Sequence, residues 1–103
     1  MRIEVQYFDG CPNSTEMISL IKEAMRSFDE QIEYEEILVE TREKAETVKF
    51  RGSPTVLING IDLENMPESV NTNLSCRYYK NGLPTKEQLI KLIINHLAER
   101  DAL

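Results

Sequence analysis

Residues 7–14 constrain the fold of this 103-residue chain more than any other stretch, because they combine the end of a strand, a turn and the start of a helix. They read Tyr-Phe-Asp-Gly-Cys-Pro-Asn-Ser, and an alternating apolar stretch precedes them. Proline is accepted in the first turn of a helix, where its missing N–H would have no partner. The pattern therefore predicts a strand that ends at Asp9-Gly10 and a helix with Cys11 at its N-terminus.

The predicted position of Cys11 gives its sulfur a chemical role. Unpaired amides and the helix dipole favour an anion at a helix N-terminus, so they favour thiolate over thiol. Cys11 is therefore predicted to be a nucleophile that faces an open cleft, although the carboxylate of Asp9 opposes the thiolate charge. The alternative is an inert cysteine that packs as a small hydrophobe.

Composition and charge exclude several functions. The hydrophobic fraction of 41% is enough for one modest core, and the length suits a single domain over residues 1–103. The net charge of −6 would repel nucleic acid and anionic membranes, so neither is expected as a partner. No apolar run reaches the roughly 20 residues of a spanning helix, and the N-terminus lacks a signal-peptide core. A cytoplasmic location is therefore expected.

The spacing of apolar residues predicts the element order β-α-β-α-β-β-α. The strands are predicted at residues 2–8, 33–39, 55–58 and 74–79, and the helices at residues 12–28, 41–50 and 86–99. The first two strands flank a helix of crossover length, so they should be parallel. Asn59-Gly60 predicts a hairpin-type turn, which a loop over residues 61–73 would extend. Thr85 with Gln88 predicts a capping box at the last helix.

This order, with a cysteine at the first strand–helix turn and Ser53-Pro54 entering the third strand, resembles the thioredoxin/glutaredoxin superfamily over nearly the whole chain. Three motifs are similar to those of a group of small prokaryotic thioredoxin-like proteins, some of which carry an alkylmercury-lyase-like label. The motifs are Phe-Asp-Gly-Cys-Pro at residues 8–12, Gly-Ser-Pro-Thr at 52–55 and Ser-Cys-Arg-Tyr-Tyr at 75–79. The resemblance implies an α/β fold with a mixed four-stranded sheet of order 2-1-3-4, flanked by helices.

The superfamily's Cys-x-x-Cys motif is changed in this chain to Cys11-Pro12-Asn13-Ser14. Serine cannot close a disulfide, but the hydroxyl or the N–H of Ser14 could donate a hydrogen bond to a Cys11 thiolate. This arrangement resembles that of the monothiol glutaredoxins. Glutathione is a possible partner, but the glutaredoxin pattern for it is incomplete: Asp9-Gly10 replaces the usual basic residue, and Asn81-Gly82 replaces Gly-Gly-Asp. No cofactor is therefore predicted.

Ser53-Pro54 matches the cis-proline loop of the superfamily, so the resemblance implies a cis peptide bond there. Such a loop would leave the N–H and C=O of Ser53 open beside Cys11, where an extended substrate could pair as an added strand. The predicted substrate-binding residues are Pro12, Asn13, Ser53, Pro54 and Thr55. The alternative is an ordinary proline that begins a strand and loses its donor harmlessly.

Cys76 has two interpretations. In the assumed sheet it lies about three residues before the end of the fourth strand, so on the order of 10 Å short of the site. Cysteines can be bridged only when their Cα atoms lie within about 7 Å. Cys76 is therefore either a second catalytic thiol that resolves Cys11 after a bulge or movement, or a packing residue. No metal site is predicted, since Cys11, Cys76 and His96 lack the close pairing of zinc ligands.

Two functions follow from these residues. In the first, the protein is a one-cysteine thiol–disulfide oxidoreductase. Cys11 attacks a disulfide and forms a mixed disulfide, which an external thiol or Cys76 resolves. The expected partner is a disulfide-bearing or thiol substrate, such as a protein. In the second, the chain is a non-catalytic module in which Cys11 and the Ser53-Pro54 loop hold an extended peptide, a thiol adduct or a soft metal ion.

Overall fold

The structure is a computed structural model that describes residues 1–64, Arg77, Tyr79 and residues 82–101. Its strands are β1 (Arg2–Tyr7), β2 (Glu33–Leu38), β3 (Thr55–Ile58) and β4 (Ile61–Asp62). Its helices are α1 (Pro12–Met25), α2 (Arg42–Val48) and α3 (Lys86–Asp101), and a 3-10 helix over Arg26–Gln31 follows α1. None of the helices in these ranges combines the length and the apolar character that crossing a membrane requires.

The four strands form one mixed sheet in the order β2-β1-β3-β4. β1 is parallel to β2 and antiparallel to β3, and β3 is antiparallel to β4. The α1 crossover explains the parallel pair, because two parallel neighbours cannot be joined by a tight turn. The α/β class and the strand order 2-1-3-4 expected from the sequence are therefore confirmed.

The position of the fourth strand differs from the prediction. Asn59 and Gly60 both have positive φ, at 52° and 82°, as a two-residue type I′ turn requires. The twist of this turn matches that of the strands, so β4 begins at once with Ile61, whereas a loop was predicted from residue 61. Within the predicted strand 74–79, only Arg77 and Tyr79 are described, and neither is in a strand. The rest of that prediction lies outside the described residues.

The helix ends depend on local capping. The side chain of Thr41 accepts a hydrogen bond from the N–H of Lys44 at the start of α2. Thr85 and Gln88 form the predicted reciprocal capping box before α3, with distances of 2.8 and 3.1 Å. α2 ends earlier than predicted, because Lys49 adopts the left-handed conformation that terminates many helices.

The sheet has a core on each face. Ile3 and Val5 of β1 point toward α1 and α3, where they join the larger apolar cluster. Alternation along β1 sends Gln6 to the opposite face, where its side-chain amide donates to the carbonyl of Val48 at the end of α2. Phe50 lies in the smaller cluster on that side and meets the ring of Phe8 edge to face, with 6.2 Å between centroids.

Adjacent residues of α3 give a matched test of this packing. Ile93 is 2% exposed and Ile94 is 50% exposed. We expect Ile93→Ala to lower the free energy of unfolding by about 2–5 kcal/mol, since it leaves a cavity in the larger core. Ile94→Ala should change it by less than about 0.5 kcal/mol. Urea unfolding followed by circular dichroism measures both, and equal losses would contradict the orientation of α3.

Candidate functional site

Cys11 lies where the sequence predicts it, between β1 and α1. It is the N-cap residue of α1, with extended backbone angles of φ −92° and ψ 117°, and Pro12 follows as the first helical residue. The N–H of Ser14 donates to the carbonyl of Cys11 at 3.1 Å and closes the first turn. The Cys11 sulfur therefore lies at the N-terminus of α1, where the connection from β1 ends.

The state and exposure of Cys11 differ from the expected thiol in an open cleft. The residue is only 5% exposed, and its sulfur is disulfide-bonded. The sequence contains one other cysteine, Cys76, which lies outside the described residues. The structure therefore represents an oxidised form of the protein, and the thiolate chemistry predicted from the sequence concerns its reduced form.

The register between β1 and β3 brings the Ser53-Pro54 loop to Cys11's helix. Gln6 is paired with Thr55, so the end of β1 and the start of β3 meet at one edge of the sheet. There the N–H of Phe8 donates to the hydroxyl of Ser53 at 3.1 Å. The hydroxyls of Ser53 and Ser14 are 2.7 Å apart and share a hydrogen bond. Two residues that lie 39 positions apart in the chain thus connect the loop to the first turn of α1.

The Ser53-Pro54 peptide bond is cis, as the resemblance implies. However, the loop is not an open binding edge, because Ser53, Pro54 and Thr55 are each less than 2% exposed. The hydroxyl of Thr55 donates to the carbonyl of Gly52 and accepts from the N–H of Arg51, so it stabilises the loop internally. Among the predicted substrate-binding residues, Asn13 is exposed, in the first turn of α1.

Two residues from later in the chain cover this loop, and we call their packing on it the Arg77/Tyr79 contact. The N–H of Arg77 donates to the carbonyl of Ser53 at 2.8 Å, and the hydroxyl of Tyr79 donates to the carbonyl of Pro54 at 2.6 Å. The Ser53 carbonyl was expected to pair with substrate. It is instead paired with the chain's own backbone, which corrects that expectation for this structure.

A buried ion pair fixes the Arg77/Tyr79 contact. The guanidinium of Arg77 donates two hydrogen bonds to the carboxylate of Asp62, at 2.7 and 2.8 Å, and both side chains are 1% exposed. A further bond of 3.1 Å reaches Glu64. The guanidinium carbon also lies 4.7 Å from the centroid of the Tyr79 ring. A bidentate arginine–carboxylate pair adds geometric specificity, so this pair sets the position of Arg77 on the loop.

Burial changes the acid–base behaviour of this cluster. Desolvation raises the pKa of Tyr79, and the nearby Arg77 charge only partly offsets that rise. Desolvation is the largest single effect on Arg77 and would lower its pKa, but the hydrogen bonds to Asp62 and Glu64 and the charges of Asp62 and Tyr79 together outweigh it, so the pKa is raised. The phenol therefore stays neutral and the guanidinium stays charged over the physiological pH range.

The Asp62–Arg77 pair is not predicted from the sequence. Asp62 follows a turn and its neighbours are typical of a polar loop, and Arg77 belongs to the Ser-Cys-Arg-Tyr-Tyr motif with no partner indicated. The two residues are 15 positions apart and belong to no common helical or strand period. No local pattern could have connected them, and only the tight hairpin that places Asp62 in β4 makes the contact.

A cavity of about 470 Å³ opens beside Tyr79 and reaches α3. A neighbouring cavity of about 620 Å³ reaches the first turns of α1 and is lined in part by Asn13 and Glu16. Tyr79, Leu83 and Pro84 line both cavities, so the two adjoin each other. Tyr79 thus contributes its hydroxyl to the Ser53-Pro54 loop and part of its surface to these cavities.

Comparisons of the chain with protein-family models, with curated proteins and with solved structures find no match. The contacts around Cys11 are therefore the basis on which a function can be assigned. Over residues 1–64, Arg77, Tyr79 and residues 82–101, no three histidine, cysteine or acidic side chains are grouped as a metal ion would require.

Two glycines with positive φ allow the packing of Arg77 on the loop to be tested. A Cβ on Gly52 would lie 2.8 Å from the Cβ of Arg77, whereas a Cβ on Gly60 would meet no atom within 4 Å. We expect Gly60→Ala to cost about 1–3 kcal/mol of stability through backbone strain alone. Gly52→Ala should cost clearly more in urea unfolding, because it carries the same strain and also displaces Arg77. Equal costs would contradict the close approach of Arg77.

The raised pKa of Tyr79 predicts a loss of stability in alkali. Above the ordinary tyrosine pKa of about 10, the unfolded chain releases a proton that the folded chain keeps. Stability should therefore fall by up to about 1.4 kcal/mol per pH unit for each such tyrosine. Burial also raises the pKa of Tyr34, so Tyr79→Phe and Tyr34→Phe should each make the slope shallower. Urea unfolding between pH 8 and 11 measures how the free energy of unfolding changes with pH. The same pH dependence in Tyr79→Phe as in wild type would contradict the prediction.

Proposed function

We propose that this protein is a thioredoxin-like thiol–disulfide oxidoreductase in which Cys11 is the nucleophile and Cys76 the resolving thiol. The observation that carries the proposal is that a half-cystine forms the N-cap of α1, next to the Ser53-Pro54 loop. A disulfide at the start of a helix can be reduced to a thiol that the helix dipole activates. The strand order 2-1-3-4 supports the thioredoxin-like class.

The proposed reaction starts from the reduced protein. The Cys11 thiolate attacks one sulfur of a substrate disulfide, forms a new S–S bond and releases the other substrate sulfur as a thiolate. The Cys76 thiolate then attacks the Cys11 sulfur and releases the second substrate thiolate. The two protein thiols thereby give two electrons to the substrate disulfide and become the protein disulfide. An external dithiol returns the protein to its reduced form.

In this proposal the other site residues position Cys11 or contact the substrate, and only the two cysteines transfer electrons. Pro12 fixes the backbone angle of the first helical residue. The shared hydrogen bond between the hydroxyls of Ser14 and Ser53 holds the first turn of α1 against the loop. Exposed Asn13 lies at the open side of that turn, where a substrate would approach.

Cysteine variants test this reaction directly. Reduced protein is mixed with 2-hydroxyethyl disulfide, and the products are followed by mass spectrometry of the intact chain. Wild type should pass through a mixed disulfide to the internal disulfide. Cys76→Ser should stop at the mixed disulfide, because it lacks the second thiol, and Cys11→Ser should react no faster than an unactivated thiol. Thr15→Ala, an exposed change in the same helical turn, is the control and should behave as wild type.

A Cys11→Ser protein that reacts as fast as wild type would contradict the assignment of the nucleophile. The binding module considered from the sequence predicts a different result. In that case wild type forms no mixed disulfide, while an added peptide, thiol or Cu(I) protects Cys11 of the reduced protein from iodoacetamide.

A further inference from the structure

The Arg77/Tyr79 contact occupies the acceptors that a bound polypeptide would need. A peptide that joins an edge as an added strand gains affinity through main-chain hydrogen bonds to that edge. At this loop the carbonyl of Ser53 already accepts from Arg77, and the carbonyl of Pro54 accepts from Tyr79. Arg77 also packs closely on Gly52, where a Cβ would lie only 2.8 Å from the Cβ of Arg77. Arg77 and Tyr79 of the chain itself therefore occupy the place at which a substrate strand would pair with the loop.

The Asp62–Arg77 pair determines how firmly this position is held. Its two hydrogen bonds are short, and both charged side chains are almost fully removed from water. Moving Arg77 off the loop would leave the carboxylate of Asp62 buried with weaker compensation, which is a large cost. A competing peptide must therefore overcome more than the one hydrogen bond at Ser53.

We propose that Asp62 and Arg77 are specificity-determining residues, which select disulfides that need no strand pairing over disulfides in extended polypeptides. The inference rests on the proposed reaction of Cys11. A small disulfide needs only to bring one sulfur to the Cys11 thiolate, so the Arg77/Tyr79 contact does not compete with it. An extended polypeptide needs the Ser53 carbonyl as well, and it finds that acceptor already paired.

Two substrates with the same leaving group separate these cases. One is 2-hydroxyethyl disulfide, and the other is an extended peptide whose one cysteine carries 2-mercaptoethanol as a mixed disulfide. With either substrate, the Cys11 thiolate forms a bond to one sulfur and releases one thiolate, so no further oxidant or reductant enters the step. The measured quantity is the ratio of the two rate constants for formation of the mixed disulfide with reduced protein.

We expect wild type to react faster with the small disulfide. Tyr79→Phe removes one hydrogen bond from the contact, and Asp62→Asn removes the negative charge that pairs with Arg77. Each should raise the rate with the peptide by about fivefold or more, the value of one hydrogen bond, without raising the rate with the small disulfide. Tyr79→Phe keeps the ring in place, so it serves if Asp62→Asn does not fold. Glu46→Gln removes an exposed ion pair with Arg42 and is the matched control.

A purely structural role for Asp62 and Arg77 would change both rates together and leave their ratio as in wild type. That result, or a wild-type protein that reacts equally well with both substrates, would overturn this inference and leave the proposed function intact. Absence of any Cys11-dependent reaction with either substrate would instead overturn the proposed function, and this inference with it.

Discussion

The ion pair between Asp62 and Arg77 joins the end of the sheet to the loop beside Cys11. Its two short hydrogen bonds lie where almost no water reaches, and Arg51 and Glu64 add further charges of the compensating sign. Such pairs are poor sources of net stability, because desolvation consumes most of the attraction. What this pair supplies is position: the bidentate geometry fixes the backbone N–H of Arg77 on the Ser53 carbonyl. The Ser53-Pro54 loop is covered because Arg77 is held in this position.

A second link, between the hydroxyls of Ser14 and Ser53, connects the same loop to α1. In a Cys-x-x-Cys motif the position of Ser14 would carry the second thiol, and here it carries a hydroxyl that binds the loop. The partner of the Cys11 sulfur must therefore come from elsewhere in the chain or from another molecule. The motif's own second position is therefore committed to packing the loop against α1.

The type I′ turn at Asn59-Gly60 shows how a local signal can be read correctly and still mislead. The sequence predicts the turn correctly. However, the polar residues after it are typical of a loop, so the fourth strand was predicted at residues 74–79. In the structure the turn leads directly into β4, and Asp62 enters the interior. A carboxylate in a strand is read as exposed because burial is costly unless a cation compensates it. The compensating cations, Arg77 and Arg51, come from other segments of the chain.

The sequence by itself determined the α/β class, the parallel crossover through α1 and the place of Cys11 at a helix N-terminus. Each of these depends on residues close together in the chain, such as alternation in β1, a glycine turn and a proline in the first helical position. Only the tertiary structure decided that the Ser53-Pro54 loop is covered, that its carbonyls pair with Arg77 and Tyr79, and that Asp62 is buried. Those contacts join segments that are 15–25 residues apart. Their geometry is set by strand register and packing, which leave no periodic pattern in the sequence.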